Sequence, residues 1–235
     1  MENFPDDITE EVIKKIDDPD PIIRSWCVKL LTRFSKKQYF EKIRELTYDV
    51  SPEVRAAACE CLGEYGNYDA RKPLLRCLND NIWFIRMHAA KSLNKLFGKE
   101  YLSEISQLLK TEEWFLRETI KNILLEHFND ALPQIEQFIQ SEDETIRRDC
   151  VEILENADYI KVIFKNLLHN ISTSIVAQLR LLKMIVKTQA HLGIENALNT
   201  FSKIETEKIL EIIGAFDPEL KNHIDNKLKK MTTES

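Results

Sequence analysis

The sequence predicts an all-α chain, a right-handed solenoid of about six to seven stacked helical hairpins. Three observations predict it. An arginine recurs at near-constant spacing, a fixed set of apolar residues travels with it, and turn-forming residues are scarce. The arginines are Arg24, Arg55, Arg86, Arg117 and Arg147, spaced by 31, 31, 31 and 30 residues. Five Gly and seven Pro in 235 residues are too few for the turns of an all-β fold. Hydrophobic residues make up 43% and charged residues 31%, enough apolar surface for a sizeable core in an ordinary soluble composition.

Each arginine opens the second helix of a hairpin. One position before it stands Ile23, Val54, Ile85, Leu116 or Ile146. Three after it comes Cys27, Ala58, Ala89, Ile120 or Cys150, and seven after it Leu31, Leu62, Leu93, Leu124 or Leu154. At about 100° per residue these offsets share one helical face. A first helix precedes, marked by Val12, Ile43, Leu74, Ile105 and Ile135, then Ile16, Leu46, Leu78, Leu109 and Ile139. Six positions before the arginines stand Asp18, Asp49, Asp80, Thr111 and Ser141, helix-capping types expected at the turn. No hairpin buries its face alone; stacked hairpins bury it jointly.

The regular repeats span about residues 8–160 of a single array, 1–235. Leu168, Leu181 and Ile185 fit a sixth unit, with Gln178 at the arginine position. Ile204–Ile213 and Leu220–Leu228 form a last pair without the signature. These degenerate repeats, about 161–228, are expected to cap the array, followed by a polar tail, 229–235.

An Asp six residues before an Arg, inside a hairpin of about thirty residues, resembles the HEAT repeat. The run Cys61-Leu62-Gly63-Glu64-Tyr65-Gly66-Asn67-Tyr68-Asp69-Ala70 resembles the "LGxxGxxxA" link of the phycobilisome-lyase-like subclass found in bacteria. That resemblance implies a ladder between repeats, built from Asp18, Arg24, Asp49, Arg55, Asp80, Arg86, Arg117 and Arg147, with Thr111 and Ser141 breaking it. Trp83-Phe84-Ile85-Arg86 and Trp114-Phe115-Leu116-Arg117 resemble the "WWVR" variant of bacterial HEAT proteins.

Signals for chemistry are sparse. His88, His127, His169, His191 and His223 form no HxH, HExxH or i,i+4 pair, so no metal site is expected. The iron-binding HEAT hydroxylases use His-Glu dipeptides, and this sequence has none. The cysteines, Cys27, Cys59, Cys61, Cys77 and Cys150, are odd in number and lack CxxC. They read as small core residues in a reducing compartment. Gly63-x-x-Gly66 reads as a helix end and turn, and no cofactor is expected. The stretch Met1–Asp7 is acidic without an apolar run, and nowhere do eighteen apolar residues stand together. Neither a secretory signal nor a membrane span is expected, and the expected location is the cytoplasm.

The second helices line the concave face of such an array. Offsets −2, +1, +5 and +9 place there Lys29 and Arg33, then Glu53, Glu60 and Glu64, then Lys91 and Lys95, then Glu118 and Glu126. The sign of charge alternates from repeat to repeat. With a net charge of −6, this counts against a phosphate-tracking groove and for a protein or peptide partner. Phe84 and Phe115 occupy matching offsets, side by side, as candidate anchors. Met87, Lys91, Lys95, Glu118, Trp83 and Trp114 surround them, and Trp26 is expected to extend the strip. The expected function is a non-catalytic scaffold. Alternatives are a HEAT-like alkylpurine DNA glycosylase, resembled by Asp80-Asn81-Ile82-Trp83, or a bilin lyase-type chaperone.

Overall fold

The computed structural model describes residues 6–34, 37–169, 175–188 and 191–232. Residues 1–5, the end of the polar tail at 233–235, and the side chains of His191 and Leu228 lie outside the described residues. Among the described residues every regular element is helical. The helices fall into two compact units, Met1–His127 and Phe128–Ser235.

The first unit stacks four hairpins: α1 (Asp6–Lys14) with α2 (Pro21–Phe34), α3 (Phe40–Leu46) with α4 (Pro52–Tyr65), α5 (Arg71–Cys77) with α6 (Trp83–Phe97), and α7 (Leu102–Ser106) with α8 (Trp114–Glu126). Short 3-10 turns, Tyr68–Ala70, Gly98–Tyr101 and Gln107–Lys110, extend the first helices of the third and fourth hairpins. The second unit pairs α9 (Phe128–Phe138) with α10 (Glu144–Asn156) and α11 (Tyr159–His169) with α12 (Ile175–Lys187); α13 (His191–Leu198) and α14 (Lys203–Phe216) both pack on α11, and α14 pairs with α15 (Pro218–Thr232). The second helices α2, α4, α6, α8, α10 and α12 begin at residues 21, 52, 83, 114, 144 and 175. The arginine period is thus the period of the helix starts, and it persists at α12, where Gln178 replaces the arginine.

The stripe at offsets −1, +3 and +7 forms the core. Ile85, Ala89, Leu93, Leu116, Ile120 and Leu124 are fully buried, as are Val54, Ala58 and Leu62. Ile23 departs from the pattern at 38% exposure, because no described hairpin covers the face of α2 turned away from α4. α4 and α6 pack closely against each other. A Cβ on Gly63 would stand 2.4 Å from Ser92 Oγ and 2.8 Å from Ser92 Cβ. Gly63 is therefore a packing glycine inside α4. Only Gly66, at φ 67°, ends that helix in the left-handed conformation.

The turn aspartates do not cap the second helices as their residue type suggested. The residue at the N-cap is Ser51, Ile82, Glu113 or Asp143. Asp49 and Asp80 stand two residues earlier and accept from the backbone N–H two positions on, Ser51 at 2.8 Å and Ile82 at 3.0 Å. This Asx turn leaves the remaining carboxylate lone pairs for arginine. All five cysteines are buried, and burial pushes the Cys61 thiol to about 11 and the Cys150 thiol to about 12.

Candidate functional site

Two arrays of side chains run along the first unit. The first is polar and joins the turns. Arg24 grips Asp49 of the next hairpin with two parallel bonds, Nε to Oδ2 at 2.8 Å and Nη2 to Oδ1 at 2.7 Å. Its Nη1 donates back to the carbonyls of Asp18 and Pro19 in its own turn. Arg55 repeats the arrangement on Asp80, at 2.9 and 3.0 Å, and on the carbonyls of Asp49 and Val50. Each guanidinium closes its own turn and clasps the next, which suits its planar fork of donors. Burial pushes the Asp49 and Asp80 carboxyls up, but bonds from arginine and from the backbone N–H outweigh it. Both titrate below the ordinary aspartate value.

The third rung differs. Arg86 keeps its strap to the Asp80 and Asn81 carbonyls, but its forward partner is the Thr111 hydroxyl at 3.4 Å. Arg117 donates to the carbonyls of Thr111 and Glu112, and Arg147, in the second unit, to those of Ser141 and Glu142. Asp18 accepts from Asp20 N–H at 3.0 Å and from Lys15 at 3.3 Å.

The second array is the face of the second helices. Trp114 and Phe115 at the start of α8 are 56% and 62% exposed, and their rings meet edge to face at 4.7 Å. The ring stacked on Phe115 belongs to Trp83, at 6.0 Å and 16°. Phe84 meets Trp83 edge to face at 5.8 Å. The pairing expected between Phe84 and Phe115 is thus made by Trp83. A side chain at the first residue of a helix leans over the preceding turn, and from there the indole reaches the neighbouring hairpin. Trp83, Phe84 and Met87 are half-buried and Lys91 is exposed.

The charges beside this cluster pair with one another. Lys95 bonds Glu64 of the preceding repeat at 2.6 Å, and His88 lies 3.8 Å from Glu60. Asn94 donates to Glu126 of the following repeat at 2.9 Å and lies 2.7 Å from His127. Glu118 pairs with Lys121 on its own helix at 2.9 Å. At Lys95 and Glu64, which hold the same offset in adjacent repeats, the alternation of sign gives an ion pair across the stack. Trp26 does not extend the aromatic strip. It is 59% exposed and lines a groove with Ile8, Val12, Ile23, Cys27 and Leu30, with Lys29 5.2 Å over its ring. Offset +2 points it toward α1.

Among the described residues no group of three or more His, Cys, Asp or Glu is arranged to hold a metal ion. Nor is any helix long and apolar enough to cross a membrane.

Residues 9–67 and 40–124 match the HEAT repeats family. Among solved structures, the complex of CpcE and CpcF of phycocyanin lyase from Nostoc sp. PCC7120 is similar at 18% identity and a TM-score of 0.51, over 96% of each chain. An engineered protein is similar at 12% identity and a TM-score of 0.44, over 90% of this chain and 98% of that one. A designed armadillo repeat protein in complex with the peptide (KR)4 is similar at 13% identity and a TM-score of 0.41, over 86% and 98%. No curated protein matches the chain by sequence. At 18% identity the likeness to the lyase complex bears on the fold, an α-solenoid of helical repeats.

Proposed function

Because residues 9–124 of this chain are HEAT repeats, we propose that it is a non-catalytic scaffold that binds a protein or peptide on the face of its second helices, the concave side expected of such an array. Trp114 and Phe115 are the anchors. The observation that carries this reading is their exposure, 56% and 62%, with the Phe115 ring stacked on Trp83 and the Trp114 ring edge to face against Phe115. Two large apolar side chains left in water beside each other mark a surface that another molecule covers. Their rigidity lowers the ordering cost of binding. Met87, Phe84 and Lys91 extend the patch, and the Lys95–Glu64 and Glu118–Lys121 pairs form a polar rim. The groups gathered here are rings, a thioether and ion-paired side chains, suited to contact rather than to proton transfer.

The test is the double variant Trp114→Ala and Phe115→Ala. A buried aromatic anchor is commonly worth about 2 kcal/mol or more, so partners captured by the parent should fall at least tenfold in quantitative mass spectrometry. The thermal midpoint should stay close to the parent's. A folded double variant that captures the same proteins as the parent overturns the reading.

A further inference from the structure

A different groove lies between the first helices of the second and third hairpins. It encloses about 770 Å³. Arg44 and Tyr48 line one side, from α3 and its C-terminal turn; Tyr68, Arg71, Lys72 and Pro73 line the other. Both tyrosines are exposed, at 66% and 57%, and Val50 beyond Tyr48 is 91% exposed.

Each ring carries an arginine. The Arg76 guanidinium lies 3.6 Å from the centre of the Tyr48 ring, and that of Arg71 lies 4.9 Å from the centre of the Tyr68 ring. Both are fixed further. Arg76 Nη2 donates to the Thr47 carbonyl and to Thr47 Oγ1, the latter at 2.9 Å, while Arg71 Nη1 donates to the Tyr68 hydroxyl at 2.9 Å. A guanidinium held against a ring is weakly hydrated and already ordered, so it loses little on meeting an anion.

This arrangement is particular to one junction. At the register of Tyr48 the other repeats carry Asp17, Asn79, Lys110 and Gln140; at that of Arg76 they carry Lys14, Glu45, Gln107 and Gln137. The repeat therefore does not require the Tyr–Arg stack. In a chain of net charge −6, Arg44, Arg71 and Lys72 line one groove with two exposed rings, and Arg76 backs the ring of Tyr48.

We propose that this groove is a second docking site, whose occupant is an extended acidic peptide segment with an aromatic or proline residue between its carboxylates. Glu45 and Asp69 share the groove and interrupt the cations. A nucleic acid backbone, charged at every step, would meet them; a peptide with spaced carboxylates passes them by. The carboxylates take the arginine forks, and the apolar side chain between them takes the tyrosine faces. Arg44 now pairs with Glu41 on its own helix, an exposed contact that an incoming carboxylate displaces at little cost.

The experiment is fluorescence anisotropy on the full chain, with a labelled peptide of alternating glutamate and tyrosine, its lysine–tyrosine counterpart, and a labelled oligothymidylate. The glutamate peptide should bind at least tenfold more tightly than the other two, and more weakly as salt rises. The variant Arg44→Ala with Arg71→Ala should weaken it at least tenfold at an unchanged thermal midpoint. If that variant is unstable, Lys72→Glu, a change at an exposed position, should weaken binding in the same direction. The Trp114→Ala and Phe115→Ala variant should bind the peptide like the parent, which separates this site from the aromatic face. Equal binding of the lysine peptide, tighter binding of the oligothymidylate, or indifference to the arginine changes would each overturn the proposal.

Discussion

At the scale of single residues, two positions set how closely the repeats approach. Gly63 has Ser92 where its Cβ would be, and Ser92 Oγ donates to the Cys59 carbonyl at 2.9 Å. Gly63→Ala must therefore push α4 and α6 apart or break that bond. The expected loss is about 1 to 3 kcal/mol, as for other overpacked cores, read as a lower denaturant midpoint at unchanged slope. The ladder supplies the second case. Arg55→Ala leaves the Asp80 carboxylate, 7% exposed, without its fork, whereas the forward partner that Arg86→Ala strands is the Thr111 hydroxyl. Removing one partner of a fully buried ion pair costs about 3 to 5 kcal/mol, and this part-buried pair should lose less than that. Chemical denaturation should show Arg55→Ala losing more than Arg86→Ala. Conversely, Thr111→Asp should complete the third rung and raise the midpoint, by about 1 kcal/mol if it behaves as a favourable surface pair. Equal losses at the two arginines would show that the straps to the carbonyls, common to both, carry the stability.

At the scale of elements, α6 and α8 each begin with a tryptophan, and the two do different things. Trp83 is half-buried and bridges the hairpins through Phe115, while Trp114 stands 56% exposed on the outside of the cluster. Trp83→Ala should cost a substantial part of the roughly 3 to 5 kcal/mol typical of a fully buried tryptophan. Trp114→Ala should stay within about 0.5 kcal/mol, as exposed substitutions do. Thermal unfolding of the two single variants separates them. A large loss at Trp114 would make it a packing residue and weaken its assignment as an anchor. Binding should show the reverse order of purpose: Trp114→Ala reduces capture in a protein as stable as the parent.

At the scale of the whole molecule, acid should lower the stability of the protein in two pH windows. Burial holds the His88 imidazole below its ordinary value of 6.5, against the opposing pull of Glu60. The folded state therefore resists a proton that the unfolded chain accepts, so stability is complete above 6.5 and declines as the pH falls below it. Asp49 and Asp80 act in the lower window. Their folded values lie below the ordinary 3.8, so their contribution is present above that pH and is lost as the pH falls through it toward the folded values. Thermal midpoints measured from pH 8 to pH 3 should show both limbs. His88→Gln should remove the first and leave the second. A flat profile down to pH 5 in the parent would show that His88 titrates normally.

The sequence by itself determined the helices, their period and their buried stripe. A repeat of 31 residues with apolar side chains at fixed offsets can be read from one strand of letters, because helical geometry turns spacing into direction. Even α12, which lacks the arginine, starts where the period places it. The sequence also held the charge alternation, but its cause was a matter of distance. Only the stacked hairpins bring Lys95 to Glu64, and so show those charges meeting each other. The Trp83–Phe115 stack, the close approach at Gly63 and the Tyr48–Arg76 pair were likewise decided by tertiary structure. Each joins residues about thirty positions apart, across a gap whose width and sideways shift depend on every side chain in the layer between. Periodicity fixes which way a residue points along its own helix. It does not fix which residue of the next helix lies opposite, and at these sites that neighbour decides the chemistry.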